Sequence, residues 1–492
     1  MLNKFIWNNY KQTNEGQRSI KIFEEGTTRD ILTNYSSNLP FDLEITSDII
    51  DELLLYCSYP ILPEELDNEI EFWRNLYKNG FTITYPNSES KSFDQKSIDF
   101  IQLLPILSLW LYYNYPFIFK PYFFIHKFRL LTKISDSFNL ELPKVPLKKN
   151  KEERFLYYVE LCKAFQKFQT NNELTDAEFC AFLYDFAPKY VSQLESDNST
   201  LPEATQAWWI GGDKSGKDFH FLDNATSESI SFWQGNEDTK KGDILVMYCL
   251  SPRSFIHSIW RAISDGIADP FFHYYSSIYI GHPQKVPPIT IQELKDDPHF
   301  SKNPLVRKNL QGINGYPLYL MDYSRLQALI KEKGGEIKNI PQLYSPTFES
   351  NTELKNEREV ELQLIEPLLE KLGYTNKDWI RQLVVRMGRG ERNFPDYAFL
   401  LDSTTGFERA YFLIESKYYI KSNRELEDTF KQVWSYGQRL GAEKLMIADK
   451  NAIWIYVKKQ EIFERTDYKK IFWKELENSD KFRDVKNLIG KF

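Results

Sequence analysis

The stretch from Asn393 to Tyr418 constrains this chain more than any other. Asn393-Phe394-Pro395-Asp396-Tyr397-Ala398-Phe399-Leu400-Leu401 is an apolar run rich in aromatics, and so is Tyr411-Phe412-Leu413-Ile414-Glu415-Ser416-Lys417. Asp402-Ser403-Thr404-Thr405-Gly406 separates them, and the whole reads as strand, turn, strand. A reversal about Thr405 and Gly406 sets Asp396 opposite Glu415. Strand side chains alternate, so Lys417 shares a face with Glu415. The pattern predicts two carboxylates and an amine converging on one end of a hairpin.

Two close carboxylates repel, and burial raises their pKa. A divalent cation relieves both, and Mg²⁺ prefers one or two carboxylates together with waters and phosphate oxygens. A neighbouring lysine positions water and offsets charge growing on a phosphate. The bland alternative is a surface hairpin with incidental charges. Glu-x-Lys alone is common, but the register, the preceding proline and the apolar strands favour a site.

Composition narrows the partners. A net charge of -7 is unusual for a non-specific polyanion binder, so nucleic-acid contact must come from local patches. Cys57, Cys162, Cys180 and Cys249 lie far apart, which argues against a zinc ribbon or a disulfide framework. That usage, with a start that is not a signal peptide, suits a cytoplasmic protein. With 492 residues, about three domains are expected.

Pro395-Asp396 followed by Glu415-Ser416-Lys417 resembles the Pro-Asp…(Asp/Glu)-x-Lys signature of the PD-(D/E)xK nucleases. Asn356-Glu357-x-x-Val360, Ile365-Glu366-Pro367-Leu368-Leu369 and Leu372-Gly373-Tyr374 resemble the opening of the nuclease domain of type I restriction motor subunits. The resemblance implies an αβββαβ restriction-endonuclease-like core over 356–492. It implies Mg²⁺ or Mn²⁺ held by Asp396, Glu415 and Glu357, with Lys417 serving the water and the developing charge. Glu361 lies one turn from Glu357 on the same helix face; Glu357 is favoured as the extra acid. Gln432 and Tyr436, four apart on a helix, are expected to orient the site. Arg386, Arg389 and Arg392, around a Gly388/Gly390 loop, are candidates for a phosphate clamp. No helicase motif or ATP site occurs, so the chain is not a motor subunit.

Upstream, residues 1–148 read as a mostly helical domain of unassigned role. Phe100 to Phe124 is apolar enough to raise a membrane span. Pro105, Pro116, Pro121 and Lys120 interrupt it, so it reads as a buried helix with an aromatic cluster. Residues 149–204 are helical and then a connector, with a capping box at Thr175 and Glu178 and Pro188 near a helix end. Strands are expected at Ala207–Ile210, Asp243–Tyr248, His257–Ala262 and Ser276–Ile280. Trp209-Ile210, Phe232-Trp233-Gln234-Gly235-Asn236 and the Lys-Lys-Gly-Asp turn resemble a PUA-like domain of the EVE group over 205–335. That implies a small β-barrel binding a modified base, with Trp209, Trp233 and Trp260 as candidate walls, each stack worth about 1–3 kcal/mol. A tryptophan in a small barrel is more often core.

Gly211 to Lys217 imitates a phosphate-binding loop, but Asp218 replaces the needed Ser or Thr and no helix pattern follows. The histidines lack metal spacing. Residues 336–355 form a linker. The expectation is a multidomain α+β, Mg²⁺-dependent endonuclease that cuts DNA carrying modified bases, resembling type IV restriction enzymes. It would act as a homodimer, because one site cuts one strand. The alternatives are a non-cleaving scaffold that binds modified nucleic acid, and an RNA-directed nuclease.

Overall fold

The computed structural model describes residues 2–36, 43, 46–48, 50–51, 66–79, 81–84, 90–93, 103–194, 201–214, 217–348, 354–386, 392–393, 395–404 and 407–491. The expected turn at Thr405 and Gly406 lies outside them, as does Arg389. The chain is α+β and divides into two units. One is Met1–Leu201 with Ile230–Thr239 and Ile263–Ile280; the other is Pro202–Ser229, Lys240–Ala262 and Gly281–Phe492. Residues 205–335 are thus shared between the two.

The first unit is mostly helical and owes its core to aromatics. Helix Leu104–Asn114 has 11 residues and is buried along nearly its whole length. At about 1.5 Å per residue it spans roughly half of a bilayer core. Among the described residues no helix is long and apolar enough to cross a membrane. Trp73 stacks on Phe155, with ring centroids 4.6 Å apart, and its indole N–H donates to the Phe155 carbonyl at 2.8 Å. The capping box at Thr175 and Glu178 forms as expected. Pro188 does not end its helix. The preceding turn, Phe182–Phe186, widens to π geometry with Ala187 N–H bonding Phe182 C=O, and the helix continues as Ala187–Leu194. Proline offers no N–H to the carbonyl four residues back, and a widened turn absorbs that loss.

In the second unit, strands Tyr316–Leu318, Ala207–Gly212, Ile244–Cys249 and Phe255–Ala262 bond in that order. Ala207–Gly212 runs parallel to Ile244–Cys249. Gly211, from the phosphate-loop mimic, sits in this strand and donates its N–H to Asn314 Oδ1 at 2.6 Å. A seven-residue helix, Asp218–Asn224, does follow, contrary to the sequence reading. The strand beginning at Ser276 runs on to Thr290, well past the expected Ile280.

The C-terminal part of this unit is a three-layer body. Its first helix, α1, covers 357–371 as Glu357–Val360, a π turn Glu361–Ile365 and Glu366–Lys371. Then come β1 (Ile380–Arg381), β2 (Tyr397–Asp402), β3 (Arg409–Ser416), α2 (Asn423–Leu440), β4 (Lys444–Ala448), β5 (Ala452–Val457), β6 (Lys469–Phe472) and α3 (Ser479–Ile489). The sheet order follows the chain, β1 to β6. Neighbours are antiparallel except β3 and β4, which run parallel and are joined through α2. Val360, Leu364, Ile365 and Leu368 of α1 pack with Phe412 and Ile414 on one face, where α3 adds Phe482 and Val485. Leu426, Phe430 and Val433 of α2 pack with Leu413 and Leu445 on the other. Gly373 closes that helix at φ +92. Strand β6 was not foreseen.

Asp243 knits the first sheet of this unit. Only 1% exposed, it accepts from Trp208 Nε1 at 2.9 Å and from the amides of Lys240 and Gln206 at 2.9 and 3.1 Å. Asp243→Ala would strand the buried donors of Trp208 and Gln206 and remove an acceptor from the half-buried Lys240 amide. A loss of about 2–4 kcal/mol in urea unfolding is expected, and an unchanged midpoint would refute the role.

Candidate active site

The site forms where β2 begins and β3 ends. Tyr397 pairs with Ile414, Ala398 with Leu413 and Phe399 with Phe412. This is the register read from the sequence; it shifts only beyond Phe399, towards the turn. Asp396 therefore sits one step before β2, beside the end of β3. The amide of Ser416 donates to Asp396 Oδ2 at 2.6 Å, and the Ser416 hydroxyl lies 2.8 Å from the same oxygen.

Alternation along β3 sends Glu415 and Lys417 towards α2. Glu415 is 2% exposed. Its Oε1 accepts from Lys417 Nζ at 2.7 Å and from Gln432 Nε2 at 2.6 Å. Gln432 also donates to the Tyr436 hydroxyl at 3.1 Å. Gln432 and Tyr436 thus share a helix face, as the four-residue spacing implied, and Gln432 links that face to Glu415. Glu415 Oε2 is buried and accepts no hydrogen bond among the described residues. Burial pushes the Glu415 carboxyl up to about 7, with the charge of Asp396 adding to the rise and Lys417 opposing it. Burial pulls the Lys417 amine down, but Glu415 outweighs it and the net shift is upward.

Ser416 points the other way, towards α1, where its hydroxyl reaches Glu361 Oε1 at 2.9 Å. Glu361 Oε2 accepts from Arg358 at 2.6 Å and from Arg381. The carboxyls of Glu357 and Glu361 are both held above the usual range, chiefly by burial. The closest gathering of oxygens is Glu357, Glu361 and Asp396, with one oxygen of each within 4.8 Å of the others. Of the expected set of Asp396, Glu415 and Glu357, two belong to this cluster together with Glu361, and Glu415 is coupled to both by charge. Sequence reasoning missed the roles of Ser416 and Arg358. The spacing of Arg358 from Glu361, three residues on one helix, was the available signal.

Other expected residues are not brought together. Trp208, Leu245 and Trp260 align across the strands, as do Trp209, Val246 and Ile259. Trp209 and Trp260 therefore face opposite sides of the sheet and cannot wall one pocket. Trp209 packs in the apolar core, and Trp260 donates to Ser258 Oγ at 2.8 Å and stacks on Phe221. Trp233 is 7% exposed and belongs to the other unit. The three do not form the expected cage. The backbones of Arg386 and Arg392 pair in a two-stranded ribbon.

No protein-family profile matches the chain, and no curated protein matches it. Similar solved structures include an NMR structure of a protein from Rhodopseudomonas palustris, with 16% identity over 27% of this chain and 96% of that one, TM-score 0.23. Crystal structures of proteins from Pseudomonas syringae and Pseudomonas putida are 18% and 19% identical over 25% of this chain and 98% of theirs, each with TM-score 0.22. Likenesses at these scores assign neither fold nor activity.

The Glu415 shift makes a stability prediction. The unfolded carboxyl titrates near 4.5 and the folded one near 7, so the native state keeps a proton that the unfolded chain has released between these values. Stability falls as pH rises through that window and levels off above it. Glu415→Gln should remove this slope, gaining up to about 3 kcal/mol on the wild type between pH 5 and pH 8. Parallel urea curves for both proteins across that range would sink the assignment.

Proposed function

We propose that this chain is a metal-dependent endonuclease, and that its centre is built from Asp396, Glu415, Lys417, Glu357, Gln432 and Tyr436. The observation that carries the reading is the buried, unpartnered Oε2 of Glu415 beside Asp396. A carboxylate oxygen kept from every donor is expensive unless something fills the gap. The donors are all oxygens, which suits Mg²⁺ or Mn²⁺ over softer metals. Asp396, Glu415 and Glu357 would hold the ion. When bound, it would stabilise charge on a phosphate and sharpen a water as nucleophile.

The chain's own residues do the rest. Lys417 and Gln432 both donate to Glu415 Oε1, fixing the carboxylate and leaving Oε2 without a donor. Lys417 stays protonated through this pairing, so its ammonium is ready to orient water and to meet negative charge as a phosphodiester breaks. Tyr436 holds Gln432 in place. The resemblance to PD-(D/E)xK nucleases supports this division of roles.

The substrate we propose is DNA carrying modified bases, in a cytoplasmic restriction-type defence. This part rests on the resemblance of residues 205–335 to PUA-like domains and not on a three-tryptophan cage. A homodimer would supply the second strand cut.

The test is digestion of modified and unmodified DNA, and of RNA, by the full chain with Mg²⁺. Modified DNA should be cut, and Asp396→Ala and Lys417→Ala should each slow cleavage by about a thousandfold. Full activity in Lys417→Ala would remove that residue from the chemistry. Cutting of RNA alone would redirect the substrate, and binding without cutting would leave a scaffold protein.

A further inference from the structure

Glu361 and Ser416 lie on the face of the sheet opposite Gln432 and Tyr436. Along β3, Phe412 and Ile414 pack under α1 while Leu413 packs under α2. Ser416 continues the α1 side and Glu415 the α2 side. Ser416 is fully buried. Its amide N–H serves Asp396 Oδ2 at 2.6 Å, and its single hydroxyl proton lies between that same oxygen at 2.8 Å and Glu361 Oε1 at 2.9 Å. The other oxygen of Glu361 is taken by Arg358 at 2.6 Å and by Arg381. Both oxygens of Glu361 are thus engaged, and two guanidiniums already balance its charge. Glu357, one turn earlier, has Lys417 as its cationic neighbour instead.

We propose that Ser416 and Glu361 are positioning residues: they clamp Asp396 from the far face of the sheet, and Glu361 is not itself an ion ligand despite its place among the clustered acids. What Asp396 does rests on the hydrolase reading above; the clamp is a property of this chain alone. Arg358 and Arg381 fix Glu361, Glu361 orients the hydroxyl of Ser416, and Ser416 holds one oxygen of Asp396 so that the other is presented to the centre. Outer partners of this kind change metal affinity without touching the metal.

The experiment is Mn²⁺ titration of the full chain by electron paramagnetic resonance, with thermal unfolding run in parallel. Ser416→Ala should weaken Mn²⁺ binding about 10–100-fold. Ser416→Thr returns the hydroxyl and should recover most of that loss, which a merely structural residue would not show. Glu361→Gln keeps an acceptor for Ser416 and should hold affinity within about tenfold of the wild type, whereas Asp396→Asn should abolish tight binding. Loss in Glu361→Gln equal to that in Asp396→Asn would make Glu361 a ligand and overturn the proposal. Unchanged affinity in Ser416→Ala would do the same. If the wild type binds no Mn²⁺, the hydrolase reading fails on its own. The clamp is then decided by the melting shifts of Ser416→Ala, Asp396→Asn and the double variant: non-additive shifts support it, and additive shifts refute it.

Discussion

The pairing of Tyr397 with Ile414 decides what this part of the molecule can be. Strand side chains have a period of two, so a slip of one residue would exchange the faces of Glu415 and Ser416. Glu415 would then meet Arg358 and Arg381, and Ser416 would meet Gln432. The apolar neighbours forbid the slip: Leu413 belongs to the core under α2, and Phe412 and Ile414 to the core under α1. Hydrophobic packing on both faces thus holds a charged residue in a place it would not choose. The parallel β3 and β4 add a second lock, because the Lys417 amide donates to the Ala448 carbonyl at 2.8 Å.

Charge balance follows from that geometry. Buried charges are tolerated when paired and hydrogen-bonded. Glu361 meets the condition with two guanidiniums, and half of Glu415 meets it with an amine and an amide. The second oxygen of Glu415 does not, although a simple exchange of strand residues for apolar ones would have removed the strain. The imbalance is local and directional: acids accumulate around Asp396 while the neutralising groups stand behind them. The arginines behind Glu361 keep that carboxylate from collapsing onto its neighbours.

The hairpin register and the shared faces of Glu415 with Lys417 and of Gln432 with Tyr436 were legible because they follow from periods of two and of about four along the chain; that the helix would serve the strand acids was implied only by the family resemblance. The capping box at Thr175 was legible for the same local reason. What was hidden depends on contacts between distant segments. Arg381 lies twenty residues from Glu361, and only the pairing of β1 with β2 carries it there. The opposite facing of Trp209 and Trp260 depends on a parallel pairing that no short window reports. The extension from Gly281 to Thr290 was masked by Pro283, Pro287 and Pro288, which read locally as strand breakers.

Proline also explains why α1 can supply both acids and core. Pro367 has no N–H for the Gln363 carbonyl, and the turn before it widens so that Glu366 N–H bonds Glu361 C=O. The same device precedes Pro188, in a helix with no comparable cluster of acids. The π turn is therefore a consequence of the proline and not in itself a mark of function. Glu357 and Glu361 lie at the start of the helix beside Asp396, and Leu364, Ile365, Leu368 and Leu369 pack in the core against the sheet. Val360, ahead of the widened turn, packs in the same core as Leu364, Ile365 and Leu368, so the acids reach the strand ends without giving up the apolar residues that hold the helix down.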